Sequence, residues 1–166
     1  MPIHDLINCI NRMILIHEKL FELSTIKKQL IIQNKVDELS KMLIQEARCM
    51  RLVEEEDNRR IDAITRFLFE KGIQMRGKMA VSELAKLVND RNDKAKLLQE
   101  VERLNQVVKK LKDINALNQL LIQQSLQFIS CGFDLFLGEP AQEATYRRPA
   151  PSAYDIQRKA VMDRRF

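Results

Sequence analysis

The sequence predicts an all-α protein, an elongated antiparallel helical bundle or coiled coil of two to three long helices plus a short helix, with a disordered C-terminal tail. Three observations predict this fold class. Apolar residues recur at steps of three and four along most of the chain, which is the spacing of one helix face. Only four glycines and four prolines interrupt the 166 residues. No stretch of useful length alternates between apolar and polar residues as a half-buried strand does.

The longest periodic stretch runs from Asp93 to Leu137 and organises the rest of the chain. It contains no proline and only one glycine, and Gly138 followed by Pro140 is a usual stop signal for a helix. Its apolar stripe begins with Leu97, Val101, Leu104, Val108, Leu111, Ile114, Leu117 and Leu121. Packing rather than intrinsic propensity stabilises most helices, so this stripe needs partner helices from the chain or from another protein.

Two periodic segments precede this helix. The first predicts a helix from Ile3 to Ile32, with His17 on its apolar stripe as a polar residue that is hydrogen-bonded or lies near an end of the packed region. The second follows a short polar joint, in which Asn34 is a candidate N-cap, and is expected to end at Gly72.

A loop is expected from Gly72 to Val81, because it contains two glycines. A short helix is expected from Ser82 to Val88, with Ser82 as its N-cap. Residues 89–92 break the pattern, and Asp93 is the candidate cap of the long helix.

The second helix contains an acidic run, Glu54-Glu55-Glu56. Adjacent positions on a helix do not face each other, so these carboxylates cannot converge on one metal ion. They lie about one turn from Arg51, Arg59 and Arg60. We therefore expect a solvated, salt-bridged face here.

The formal net charge is +5, and it is not spread evenly. From Pro140 onward, six basic residues stand against three acidic ones, so the end of the chain holds three of the five charges. This predicts a helical domain over 1–138 and a flexible basic tail over 139–166. Nucleic-acid binding is not expected, because no block of basic residues is longer than two and acids are interleaved throughout.

The three cysteines lie far apart without a CxxC pair, which fits neither a disulfide framework nor a zinc site. Cysteines without disulfide partners are typical of proteins in the reducing cytoplasm, which is where we expect this protein. We found no apolar run close to 18 residues, so we expect no spanning helix, and the N-terminus lacks a signal-peptide pattern. The two histidines are too few for a metal site or a general-base mechanism. With no nucleotide-binding, zinc-protease or hydrolase motif, we expect no cofactor and no enzymatic activity.

From Ile114 to Ile129 the chain has no charged residue, and most of the polar positions carry amides. Apolar side chains cover more than one face of this helical segment. Two interpretations remain open. The segment is either a helix end buried in its own bundle, or a docking face for the amphipathic helix of a partner.

The closing stretch of the long helix resembles the FlgN family of flagellar type III export chaperones, in the form found in flagellated Gram-positive bacteria. The resemblance rests on Asn118, Leu121, Gln124, Ser125, Leu126 and Phe128, followed by Phe133-Asp134-Leu135 and then Tyr146. The general pattern, two long helical arms with a short joint before a C-terminal helix, covers about residues 3–146.

The resemblance implies a cytoplasmic chaperone that holds the C-terminal helical segment of hook-associated proteins and delivers these clients to the export apparatus without a cofactor or stable membrane association. The C-terminal helix is the usual binding element of the family, which implies client contacts at Ile114, Leu117, Asn118, Leu121, Gln124, Ser125 and Phe128. In some members a tyrosine beyond this helix docks on the export gate, and Tyr146 is the nearest position here.

The main alternative is a structural or adaptor coiled-coil protein whose uncharged face closes a homo-oligomer. An unbroken heptad pattern would favour it. The consecutive three-residue steps from Leu111 to Ile114 and Leu117 interrupt that register.

Overall fold

Four α-helices make up the part of the chain that the computed structural model describes, residues 2–73 and 81–138. They are α1 (Pro2–Ile32), α2 (Val36–Glu70), α3 (Val81–Leu87) and α4 (Arg91–Leu137). No strand occurs within these ranges, which confirms the predicted all-α class. The predicted tail, 139–166, and most of the predicted loop, 74–80, lie outside the described residues.

The described residues fall into two units. The first unit contains α1, α2, α3 and the part of α4 that ends at Ser125. The second unit begins at Leu126, and its described part is the rest of α4 with Gly138.

In the first unit, α1 and α2 run antiparallel. Arg12 pairs with Glu56, and Lys27, later in α1, pairs with Glu46, which is earlier in α2. The two helices therefore run in opposite directions. The Lys27 Nζ to Glu46 Oε1 distance is 2.6 Å, and both side chains are largely buried. The predicted antiparallel arms are thus present.

The turn between α1 and α2 differs from the sequence prediction. Asn34 has a φ of 56° and does not cap α2, whose N-cap residue is Lys35 and which has no side-chain cap bond. Instead the Lys35 amide donates to Leu30 O at 3.0 Å and the Asn34 amide donates to Ile31 O at 3.1 Å. These two bonds form a Schellman motif that closes α1. The cap prediction was wrong because asparagine also tolerates the left-handed backbone region, and here it ends the earlier helix.

The end of α2 at Gly72 agrees with the prediction. Gly72 has a φ of 70°, and the Ile73 amide donates to Leu68 O at 3.0 Å. The short helix α3 is also present, but it begins at Val81, so Ser82 lies inside it and is not its N-cap. The predicted cap of α4 was wrong, because Asp90 Oδ1 accepts from the amides of Asn92 and Asp93 at 2.7 and 3.0 Å. Asp93 lies three residues too late to serve this role.

The part of α4 in the first unit runs parallel to α1. His4 Nε2 lies 3.1 Å from Asp93 Oδ1, and Arg103 Nη2 donates to Glu18 at 3.0 Å. Further along both helices, Ser24 Oγ donates to Asn115 Oδ1 at 2.9 Å. As predicted, His17 is hydrogen-bonded, with its Nδ1 2.7 Å from Met13 O.

Two apolar clusters hold the first unit together. One joins all four helices around a set of buried residues, Ile3, Leu6, Ile7, Ile10, Ile14, Ala63, Ile64, Phe67, Leu68, Leu84, Ala85, Val88 and Leu97. The other lies between α1 and α2 and consists of Leu20, Leu23, Leu30, Met42 and Cys49, with Leu111 of α4 packed against it. Burial of such side chains is the main source of folding free energy.

The acidic run on α2 is only partly the solvated face that was predicted. Glu54 and Glu55 are exposed, but Glu56 is buried and contacts two guanidinium groups. Arg12 Nε donates to it at 2.9 Å and Arg59 Nη1 donates at 2.6 Å. The hydrogen bond to Glu56 raises the pKa of Arg12. The prediction failed for Glu56 because Arg12 approaches from α1, which spacing along α2 does not reveal.

Replacing Leu20 with alanine should destabilise the fold by about 2–5 kcal/mol, because it removes buried methyl groups and leaves a cavity. Leu20 is 2% exposed. Leu15, on the same helix, is 62% exposed, and Leu15→Ala should change the stability by less than about 0.5 kcal/mol. Urea unfolding followed by circular dichroism measures both variants, and equal losses would contradict the described core.

Candidate functional site

The uncharged part of α4 is the candidate binding element. Asp113 and Asp134 bound it, and no charged side chain lies between them. Its polar positions are mostly amides, which hydrogen-bond without the desolvation cost of a buried charge. The boundary between the two units divides this stretch after Ser125.

In the first unit, Asn118 packs α4 against α1. It is buried, and its Nδ2 donates to Ser24 O at 2.8 Å. Ser24 is also fully buried and donates its hydroxyl to Asn115. Asn118 Oδ1 has no hydrogen-bond partner among the described residues. This predicted client contact therefore fixes the register of α4 on α1 in the free chain.

The other predicted residues of the first unit have mixed environments. Ile114 and Leu121 are half-buried, whereas Leu117, Gln124 and Ser125 are exposed. The Ser125 hydroxyl donates to Leu121 O at 2.9 Å, within its own helix. Its hydrogen is thus already used, so Ser125 offers a partner a small surface and an oxygen that can accept a hydrogen bond.

In the second unit, the end of α4 is largely apolar and exposed. Phe128, the only predicted site residue in this unit that the structure describes, is 82% exposed. The other exposed large apolar side chains among the described residues of the unit are Leu126, Ile129, Phe133, Leu135, Phe136 and Leu137. Large exposed apolar surfaces are uncommon on monomeric proteins, which makes this end of α4 a candidate interaction surface.

None of these six residues was among the predicted client contacts. The signal was available, since the segment after Ile129 continues with only one charge, at Asp134. Tyr146, the candidate for docking on an export gate, lies outside the described residues. Within the described ranges, no group of three or more histidine, cysteine, aspartate or glutamate side chains is placed to hold a metal ion.

The expectation that no segment is long and apolar enough to span a membrane needs correction. An 18-residue window of α4 has a mean hydropathy of 1.3, and none of that window is buried. Length and composition alone are weak evidence for a membrane helix. The amides of Gln123, Gln124 and Gln127 would each need a partner in lipid, and that requirement disfavours insertion.

Comparisons with known proteins place the chain in a family. The model of a protein family described as FlgN protein matches residues 1–151. A protein of Bacillus subtilis (strain 168), described as the uncharacterized protein YvyG, is 30% identical over 132 residues, which cover 80% of this chain and 79% of that protein. No solved structure shows significant similarity to the chain.

Asn118→Ala should destabilise the protein by about 0.5–1.5 kcal/mol, because it removes the buried hydrogen bond to Ser24 O that joins α4 to α1. Asn105 is an exposed asparagine on the same helix and is the matched control. Asn105→Ala should change the stability by less than about 0.5 kcal/mol. Chemical denaturation distinguishes the two, and an unchanged midpoint for Asn118→Ala would mean that the contact with α1 does not support the fold.

Proposed function

Because this chain belongs to the FlgN family, whose members are flagellar export chaperones and not enzymes, we propose that it binds the C-terminal helical segment of hook-associated proteins through the C-terminal part of α4. Binding takes place in the cytoplasm, before export. It prevents premature assembly of these clients and delivers them to the type III export apparatus.

The observation that supports this proposal is the exposed apolar end of α4. Phe128 and Phe133 project from a helix that has no charged residue between Asp113 and Asp134. An amphipathic client helix lays its apolar face on such a surface, in the helix-in-groove mode of recognition. Without this cover, the same client face would drive self-association or invite proteolysis.

The energetics are sufficient for a chaperone. Each leucine- or phenylalanine-sized side chain contributes about 1.5–3 kcal/mol when it is fully buried. Ordering two helices and losing rotational freedom offset a large share of this gain. A few such side chains on each partner still support micromolar or tighter binding. Client binding of this kind needs no nucleotide.

The residues of the first unit contribute unequally in this proposal. Leu117 and Gln124 are exposed and remain proposed client contacts, together with the half-buried Ile114 and Leu121 and the small surface of Ser125. Asn118 acts indirectly, because its hydrogen bond to Ser24 O sets which residues of α4 face away from α1.

The proposal extends to the export gate through Tyr146. This tyrosine precedes Arg147 and Arg148, and the resulting aromatic and basic segment suits a weak contact with an acidic or aromatic-lined surface. The client is held on α4, so loading and docking use different parts of the chain.

Phe128→Asp should weaken binding to a purified hook-associated protein by about 100-fold or more, because an aspartate buried without a partner costs several kcal/mol. The control is Phe69→Asp on α2, since Phe69 is 83% exposed and Phe128 is 82% exposed. Both variants should keep their helicity. Isothermal titration calorimetry gives the affinities, and the site lies elsewhere if Phe128→Asp binds as tightly as the parent.

Leu121→Asp tests the half-buried part of the site, provided that the variant keeps its helicity.

Tyr146→Ala should reduce secretion of the hook-associated proteins and motility while leaving client affinity unchanged. Tyr154→Ala, in the same basic segment, is the control and should secrete normally. Secretion is read from the culture supernatant, and client affinity from calorimetry with purified proteins. Normal secretion by the Tyr146 variant would remove the gate-docking role and leave the client-binding proposal standing.

A further inference from the structure

A second apolar surface lies on α2, beside the face that packs on α1. Val36, Leu43 and Met50 recur every seven residues and are between 48% and 62% exposed. Ser40 and Ala47 lie between them on the same side and are exposed as well. Seven residues make nearly two helical turns, so all five positions form one stripe. None of the other described residues covers it.

The stripe alternates large and small side chains, which is the pattern that two antiparallel helices need in order to interlock. With a two-fold axis level with residue 45, Leu43 meets Ala47 of a second copy and Met50 meets Ser40 of that copy. Each large side chain then enters a space left by a small one, as close packing requires. Ser40 Oγ already donates to Val36 O at 3.1 Å, so its hydroxyl keeps a partner when it is buried.

The flank of the stripe is also self-complementary in this arrangement. Ile44 is 57% exposed and meets Ile44 of the second copy close to the axis. Asp37 comes next to Arg51 of the second copy, and this pair occurs twice by symmetry. Both residues are exposed, and neither forms an ion pair within the described part of the chain. A parallel arrangement would instead place Asp37 beside Asp37, which is unfavourable.

We propose that the Ser40–Met50 part of this stripe pairs antiparallel with the same part of a second copy and makes the protein a homodimer. The contact is about 17 Å long at 1.5 Å per residue. A single pair of helix faces of this length falls at the small end of specific interfaces, below about 1,200 Å² in total. We therefore expect a dimer that forms in the micromolar range. This surface is separate from the proposed client site, and its test does not depend on that proposal.

Sedimentation equilibrium of the full chain should show a mass that rises with concentration toward twice 19.5 kDa. Leu43→Glu should raise the dissociation constant by about tenfold or more, because it buries a charge beside Ala47. Leu52→Glu is the control, since Leu52 is 46% exposed and lies on the opposite side of α2. It should leave the dissociation constant unchanged. Circular dichroism establishes that both variants are folded.

A charge exchange tests the direction of pairing. Asp37→Arg alone should weaken the dimer by about fivefold, since two symmetric pairs are lost. Combining it with Arg51→Asp should restore the parental dissociation constant, because arginine then faces aspartate again across the axis. A chain that stays monomeric up to about 1 mM overturns the proposal. A dimer insensitive to Leu43→Glu, or a charge exchange without recovery, overturns it as well.

Discussion

The first unit depends on the apolar surface of α1, which is packed by α2 on one side and by α4 on another. Twelve residues of α1 are buried, against seven of α2 and two of α4. Most helical stability in proteins comes from packing an apolar face and not from propensity, so α2 and α4 need a partner of this kind. α1 is therefore the core helix. The other two long helices pack against it, each through one apolar stripe.

The periodic spacing of apolar residues predicted this architecture well, because spacing depends only on the local geometry of a helix. The beginnings and ends of α1 and α2 lie within a few residues of the predicted positions. The helix caps were harder to predict. Asn34 and Asp93 have side chains suited to an N-cap, but the N-cap is the residue at which the backbone enters the helix, and side-chain chemistry alone does not identify that residue. Glu56 was misjudged because its burial depends on Arg12, which is distant in sequence.

The candidate site was predictable as a segment and less so as a set of side chains. The absence of charge and the resemblance to a chaperone family both selected the end of the long helix. They did not separate Asn118, which the contact with Ser24 holds inside the fold, from Phe128, which is exposed. That distinction depends on where α1 lies beside α4. A surface of this kind also has to stay soluble while it is uncovered, and the amides of Gln123, Gln124 and Gln127 give this part of α4 groups that hydrogen-bond to water without adding charge.

The turn at Asn34 decides which side of α2 becomes core. Successive residues of a helix are rotated by about 100°, so the phase of α2 is set by the number of residues between the last turn of α1 and Val36. One residue fewer there would rotate Met42 and Cys49 away from α1 and bring in the neighbouring side, with Leu43 and Met50. The sequence of α2 is apolar on both of these sides. The left-handed backbone of one asparagine thus selects between two surfaces that hydrophobicity alone would leave interchangeable.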